Sequence, residues 1–309
     1  MLMRDVFCNT LIKLMKSDKN IVVIDADLAK ADGTMPVRKA FPKRALDVGI
    51  AEQNMASIAA GLSSYGFKPY ITTFTPFATR RICDQIAISI AYAKQNVKIV
   101  GTDPGISAEL NGGTHMSVED IGVLRSIPDM VIFEPVDAVQ LEKALPVINA
   151  YDGPVYIRLF RKEQPEVFGP KYRFDLFKAD VLEKGRDVTV FASGIMVAQS
   201  LEARRILKEK GIDAEIVNVH TLKPIDADTV LSSVAKTGCA VTAENHNVIG
   251  GLGSAVKEVV SEVNPIPVIS VGIPDCFGEV GKMPYLKEKF KMTVSDIVAA
   301  AEKAVSLKK

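Results

Sequence analysis

The sequence predicts an α/β protein of two doubly wound domains, and three observations lead there. The chain has 309 residues, more than one hydrophobic core usually serves. Short β-branched runs without strict polar alternation recur between longer amphipathic stretches, which is how buried parallel strands covered by helices on both faces read. The series breaks once, where Gly169 and Pro170 stand among mixed charges with no clear period, and then resumes. The expected organisation is a first domain over 1–165, a linker over 166–185 and a second domain over 186–309.

In the first domain the apolar runs Ile21–Ile24, Lys68–Thr73, Val97–Gly101, Met130–Phe133 and Val155–Arg158 are expected strands. Helical spacing of apolar residues marks Ala51–Tyr65, Ala78–Ala93 and Val118–Arg125. In the second domain the order is strand Val188–Ala192, helix Val197–Lys210, strand Ala214–Asn218, helix Asp228–Lys236 and strand Ala240–Glu244. Helix Leu252–Val260, strand Val268–Gly272 and helix Val294–Val305 complete it. Gly211, directly after Lys208-Glu209-Lys210, stands where a helix stop belongs.

Composition narrows the class of function. Apolar residues make up 48% and charged residues 24%, ordinary for a globular protein. The 38 basic and 37 acidic side chains nearly cancel, so neither a nucleic-acid nor an anionic-membrane surface is expected. Cys8, Cys83, Cys239 and Cys276 are scattered, without a CxxC pair or a nearby histidine, which argues against zinc and suits reduced thiols. The first helix-like stretch mixes Arg4, Asp5, Lys13 and Lys16 with its apolar residues, unlike a signal peptide. No apolar run is long enough to span a bilayer. The expected location is the cytoplasm.

Three segments can carry chemistry. In Asp47-Val-Gly-Ile-Ala-Glu52-Gln-Asn, Glu52 opens an amphipathic helix, where the helix dipole favours a carboxylate. It reads either as a helix-start acid or as a carboxylate held at a sheet edge, where α/β folds place ligands. In Thr72-Thr-Phe74-Thr-Pro-Phe77-Ala-Thr-Arg80-Arg81, two phenylalanines three apart lie in a strand-to-helix turn. They read as core or as a platform for a flat ligand. The third, Gly101-Thr-Asp103-Pro-Gly105 through Asn111-Gly-Gly-Thr114-His115, is a long glycine-rich loop ending in one of three histidines. Loops of that length inside compact domains usually have a function.

In this order and spacing, the three segments closely resemble the pyrimidine-binding domain of transketolases and of 1-deoxyxylulose-5-phosphate synthases. Leu124-Arg-Ser-Ile-Pro128, Pro135-Val-Asp137-Ala and the strand ending near Arg158 and Arg161 also match. Glu244-Asn-His246-Asn and Gly250-Gly-Leu-Gly253 resemble the C-terminal domain of the same families. The resemblance covers almost the whole chain.

The resemblance implies thiamine diphosphate as cofactor, and a transketolase reaction moving a two-carbon ketol group between sugar phosphates. Glu52 matches the glutamate that bonds the pyrimidine N1′ and favours the imino tautomer, whose nitrogen takes the thiazolium C2 proton. Phe77 matches the ring that stacks on the pyrimidine, with Phe74 its neighbour and Ile50 a further cofactor contact. Asp27 matches an aspartate near the thiazolium, contributed across a subunit interface. His115 matches a histidine that touches the donor sugar, a catalytic position. Arg4 and Arg161 match arginines that hold its phosphate, a task suited to guanidinium forks. Asp103 and Asn111 complete the expected substrate set. Both depart from the family, which has a histidine and an aspartate there. Ala31 replaces a phosphate-binding serine and Arg80 an aromatic, so the sugars are left open.

The resemblance also exposes a gap. Mg²⁺ on the diphosphate is held in these families by a Gly-Asp-Gly segment, and this chain contains none. Magnesium demands a strict octahedron of oxygens, which scattered acids do not supply. The expectation is a split enzyme: no metal ligand here, and an N-terminal-section transketolase subunit as partner in an α2β2 assembly. Within this layout, a deoxyxylulose-phosphate synthase-like protein and the β subunit of a 2-oxoacid dehydrogenase are alternatives, as is a non-catalytic scaffold subunit. Gly250–Gly253 lacks the spacing of a phosphate cradle and reads as a structural turn, and His220 and His246 read as structural.

Overall fold

The structure, a computed structural model, describes residues 1–308. It divides into two compact units: Met1–Pro104 with Val123–Leu176, and Gly105–Gly122 with Phe177 onward.

The first unit holds strands β1 (Ile21–Asp25), β2 (Ala45–Asp47), β3 (Lys68–Phe74), β4 (Lys98–Thr102), β5 (Val131–Phe133) and β6 (Val155–Leu159). They pair in parallel in the order β5-β6-β4-β3-β1-β2. Every residue of β1, β4, β5 and β6 is buried, the signature of strands covered on both faces. The helices are α1 (Met3–Ser17), α2 (Ala29–Asp32), α3 (Met35–Ala40), α4 (Glu52–Ser64), α5 (Thr75–Ala78), α6 (Asp120–Arg125) and α7 (Ala138–Ala150). Helices α1 and α7 pack together, and Phe7, Leu11, Leu141 and Leu145 join Val23, Val100 and Ile157 in one core. On α4 the buried residues are Glu52, Met55, Ala56, Ala59 and Ala60. That is one helical stripe, and its alanines let the helix lie close to β3.

One expected helix is corrected here, and one helix appears where none was expected. The helix expected over Ala78–Ala93 is broken into α5, a 3-10 turn at Arg80–Ile82 and a π-helical turn at Gln85–Tyr92. Pro76 starts the first piece, and the Thr79 hydroxyl donates back to the Thr75 carbonyl at 2.7 Å, a local bond that competes with a regular helix. Helix α7 went unanticipated because Pro146 lies inside it. Its start is nonetheless marked: Asp137 accepts from the Gln140 amide at 2.7 Å, and the Gln140 side chain accepts from the Val136 amide at 2.9 Å.

The second unit holds β7 (Asp180–Glu183), β8 (Val188–Ala192), β9 (Ala214–Asn218), β10 (Thr221–Lys223), β11 (Ala240–Asn247) and β12 (Val268–Ile273). Five of them form a sheet in the order β12-β11-β8-β9-β7, parallel except for edge strand β7. Helices α8 (Met196–Glu209), α9 (Ala227–Thr237), α10 (Leu252–Val263), α11 (Met283–Lys289) and α12 (Val294–Ser306) complete it. Residues 166–185, read from the sequence as a linker, carry structure. Phe174 and Leu176 join the first unit's core, and β7 belongs to the second sheet.

Candidate active site

The expected site residues of the first unit fall at one edge of its sheet. Asp27 follows β1, Ile50 and Glu52 follow β2, Phe74 ends β3, Asp103 follows β4 and Arg161 follows β6. These are the carboxyl ends of parallel strands, where open α/β sheets bind ligands. A triad ties two of those ends together. Arg38 Nη2 donates to both Asp25 oxygens at 2.9 Å and lies 3.1 Å from Asp47 Oδ2. Asp47 Oδ1 accepts from the amides of Asp27 at 3.1 Å and Gly49 at 2.9 Å. The Gly49 amide, chiefly, holds the Asp47 carboxyl below the usual range. Gly49 turns at φ +70°, which presents Ile50 to solvent at 76% exposure and starts α4 at Glu52. Asp27 is also exposed, at φ +65°.

Glu52 is buried at 4% exposure. Its Oε1 accepts from Arg81 Nη1 at 2.7 Å, and the same guanidinium lies 3.8 Å from the centre of the Phe77 ring. Phe74 stands beside Phe77, ring centres 6.2 Å apart. A flat, nitrogen-rich donor is therefore stacked on Phe77 and bonded to Glu52. These residues accept a planar ring with a hydrogen-bonding edge, so they fit the aminopyrimidine of thiamine. Sequence reasoning passed over Arg81 and Arg38, since only the folded backbone brings them to their carboxylates.

A second cluster adjoins the other ring of the pair, Phe74. Arg161 lies 4.9 Å from the centre of the Phe74 ring. Its Nη1 donates to the Ala31 carbonyl at 3.0 Å, and Arg4 Nη1 donates to the same oxygen at 3.1 Å. Asp103 Oδ2 accepts from both Nε (2.6 Å) and Nη2 of Arg161, while Oδ1 accepts from the Arg161 amide at 3.1 Å. Asp32 is buried beneath, accepting from the Thr102 hydroxyl at 2.7 Å through Oδ1, while its Oδ2 has no partner. Burial pushes its carboxyl up to about 7.

His115 and Asn111 lie in the second unit, on the segment Gly105–Gly122. The Gly105 amide donates to the Ser117 carbonyl at 2.8 Å, closing the loop. The end of β11 grips it: Asn245 Oδ1 accepts from the Ile106 amide at 2.9 Å, and the Asn247 amide donates to the Val118 carbonyl at 2.8 Å. His246 Nε2 accepts from the Gly122 amide at 3.3 Å, so its Nδ1 carries the proton toward the Asn247 carbonyl 2.7 Å away. Glu244 accepts from the amides of Leu252 (2.6 Å) and Gly253 (2.8 Å). The anion place at the start of α10 is thus filled from within, and a Cβ on Gly251 would lie 1.9 Å from Glu244 Oε2. Gly250–Gly253 is a cradle for an internal carboxylate. His115 Nδ1 pairs with the Thr114 hydroxyl at 2.9 Å, and Asn111 is exposed. Among the described residues, no three His, Cys, Asp or Glu side chains are grouped to hold a metal ion.

The fold and the edge residues define a parallel α/β subunit with a buried carboxylate beside two phenylalanines at the strand ends. The comparisons make that class specific. Residues 1–166 match the transketolase pyrimidine-binding domain and residues 177–297 the transketolase C-terminal domain. The chain belongs to the transketolase family, as a subunit of the split kind. It is 51% identical to the 6-deoxy-6-sulfo-D-fructose transketolase subunit SqwH of Clostridium sp. (strain MSTE9), over 99% of this chain and 95% of that one. It is 37% identical to an apulose-4-phosphate transketolase subunit of Phocaeicola vulgatus, over 88% of this chain and 87% of that one. A solved structure described as "Split gene transketolase, inactive beta4 tetramer" superposes with a TM-score of 0.92 at 45% identity, over 100% of this chain and 99% of that one. Membership implies dependence on thiamine diphosphate.

Proposed function

We propose that this chain is the cofactor-activating subunit of a split transketolase, moving a two-carbon ketol group from a ketose whose far end carries an anion. The observation that carries this reading is the guanidinium of Arg81, which stacks on Phe77 and donates to buried Glu52. Bound thiamine diphosphate supplies the carbon nucleophile of the reaction. Glu52 exchanges a proton with the pyrimidine N1′, Phe77 offers the stacking face with Phe74 behind it, and Ile50 adds apolar surface. Asp27 faces the cofactor across a subunit interface. His115 and Asn111 read the oxygens of the donor, and Arg4 and Arg161 hold its anionic end.

Mg²⁺ and the diphosphate fall to an N-terminal-section subunit in an α2β2 assembly. The sequence lacks Gly-Asp-Gly, and two relatives are named as subunits. The relative that forms an inactive β4 tetramer supports the same division of labour. Ile50, Tyr65 (86% exposed) and Tyr92 (83% exposed) are separate exposed apolar side chains of the kind a partner subunit covers. The relatives name two different anionic sugars, a sulfonate and a phosphate, and the 51% identity to the first makes 6-deoxy-6-sulfofructose the favoured donor.

The test is an assay of ketol transfer with this chain, with its partner, and with the two mixed, in the presence of thiamine diphosphate and Mg²⁺. Turnover only in the mixture is the expected result. Full turnover by either chain alone, or pyruvate consumption without ketol transfer, would contradict the reading.

A further inference from the structure

The cluster around Arg161 has a charge pattern that the family resemblance does not explain. Two guanidinium groups, Arg4 and Arg161, converge on one acceptor, the Ala31 carbonyl, at 3.1 and 3.0 Å. Like charges held side by side favour an anion between them. Yet one of the two is already engaged. Asp103, only 4% exposed, binds the Nε and Nη2 side of Arg161 and also its amide. What Arg161 retains for an external anion is one N–H on each Nη, within a guanidinium's width of the Asp103 carboxylate. Asp103 sits at φ +51°, a left-handed backbone uncommon outside glycine, asparagine and aspartate. Its amide donates to the Leu159 carbonyl at 2.9 Å, which fixes it over the end of β6. Ala31, with no hydroxyl, offers the anion nothing further.

We propose that Asp103 sets the terminal specificity of the donor. By sharing Arg161, it lets the pair of arginines accept a singly charged head group such as a sulfonate and penalises a doubly charged one such as a phosphate. At neutral pH a phosphate monoester carries about −1.5 to −2 charges, whereas a sulfonate carries one. The second phosphate charge finds Arg161 already neutralised and the Asp103 carboxylate adjacent, which is discrimination by repulsion as much as by attraction. This rests on the split-transketolase reading for the identity of the donor, though not for the geometry of the cluster. Asp103 acts through Arg161 and is a positioning residue.

The test uses the full chain and its complex with the partner. In the wild-type complex, kcat/KM for 6-deoxy-6-sulfofructose should exceed that for fructose 6-phosphate. In Asp103→Asn the ratio should move toward the phosphate by about tenfold or more, mostly through KM. Asp103→Glu, which keeps the charge, should retain the wild-type preference. An unchanged ratio in Asp103→Asn, or an equal shift in both variants, would overturn the proposal. A binding measurement separates it from the functional reading. In arginine Nε–H NMR spectra of the full chain, methanesulfonate should perturb Arg161 in the wild type, and methyl phosphate should do so comparably only in Asp103→Asn. Failure of ketol transfer from either sugar would then count against the functional reading, while equal response of wild-type Arg161 to both anions would count against Asp103.

Discussion

At the scale of single residues, partner choice decides what the site can do. Glu52 is buried, and its ion pair is with Arg81, whose side chain is 42% exposed. Solvent screens such a pair, so Glu52→Gln should change unfolding free energy by no more than about 1 kcal/mol. Chemical denaturation checks this, and a larger loss would make Glu52 a structural acid. Asp32 gives a pH signature. Its carboxyl is pushed up to about 7 by burial, against about 3.9 for an unfolded aspartate. Between those values the folded chain holds a proton that the unfolded chain has lost, so stability falls as pH rises through that window. Asp32→Asn removes the slope. Its Tm relative to the wild type should climb from pH 5 to pH 8, and a flat difference would refute the assignment. The Phe74–Phe77 pair was visible in the sequence because its spacing is local, whereas Glu52 read equally as a helix-start acid until the family resemblance singled it out. The partners Arg81 and Arg38 were not visible, because tertiary approach alone selects them. The same holds for the engagement of Arg161 by Asp103, residues 58 apart.

At the scale of elements, the strands were the legible part, since β-branched apolar runs without polar alternation have few other places to go. The expected Val188–Ala192 and Ala214–Asn218 coincide with β8 and β9; Val97–Gly101 lies one residue early on β4, Met130–Phe133 starts one residue before β5, and the other expected strands end one to three residues short. The helices were harder. The Thr75 and Thr79 side-chain bonds that break up Ala78–Ala93 look like ordinary polar positions in the sequence. Helix α7 conceals its end as well as its proline. Lys98, buried on β4, donates to the carbonyls of Tyr151 at 2.8 Å and Gly153 at 2.7 Å, just past the α7 C-terminus. Burial pushes its ammonium down to about 7, while those carbonyls and the helix end favour the charge. Lys98→Met removes that donor and should cost about 1–3 kcal/mol, read by urea denaturation. Arg158 on β6 and Glu134 after β5 form a buried pair at 2.7 Å. Glu134→Ala removes the carboxylate from beside this buried arginine and should cost about 3–5 kcal/mol. A loss under 1 kcal/mol would show that water reaches it.

At the scale of the whole molecule, the residues expected from the resemblance are divided between two compact units. The first carries Glu52, the phenylalanines and the Arg4–Arg161 cluster, and the second carries the loop with Asn111 and His115. The sequence placed that loop in the first domain by chain order, whereas its hydrogen bonds run to β11, a non-local pairing that no window of sequence reveals. Asn245→Ala should therefore speed amide exchange over residues 105–122 without changing exchange in β1–β6. The comparisons show a split transketolase-family subunit. The proposed division of labour gives this one the acid that activates the cofactor. The most direct test is the rate of ketol transfer by the complex reconstituted with Glu52→Gln in place of the wild-type chain. The complex should still assemble, with turnover reduced by about two to four orders of magnitude. Turnover equal to that of the wild type would contradict that role for Glu52.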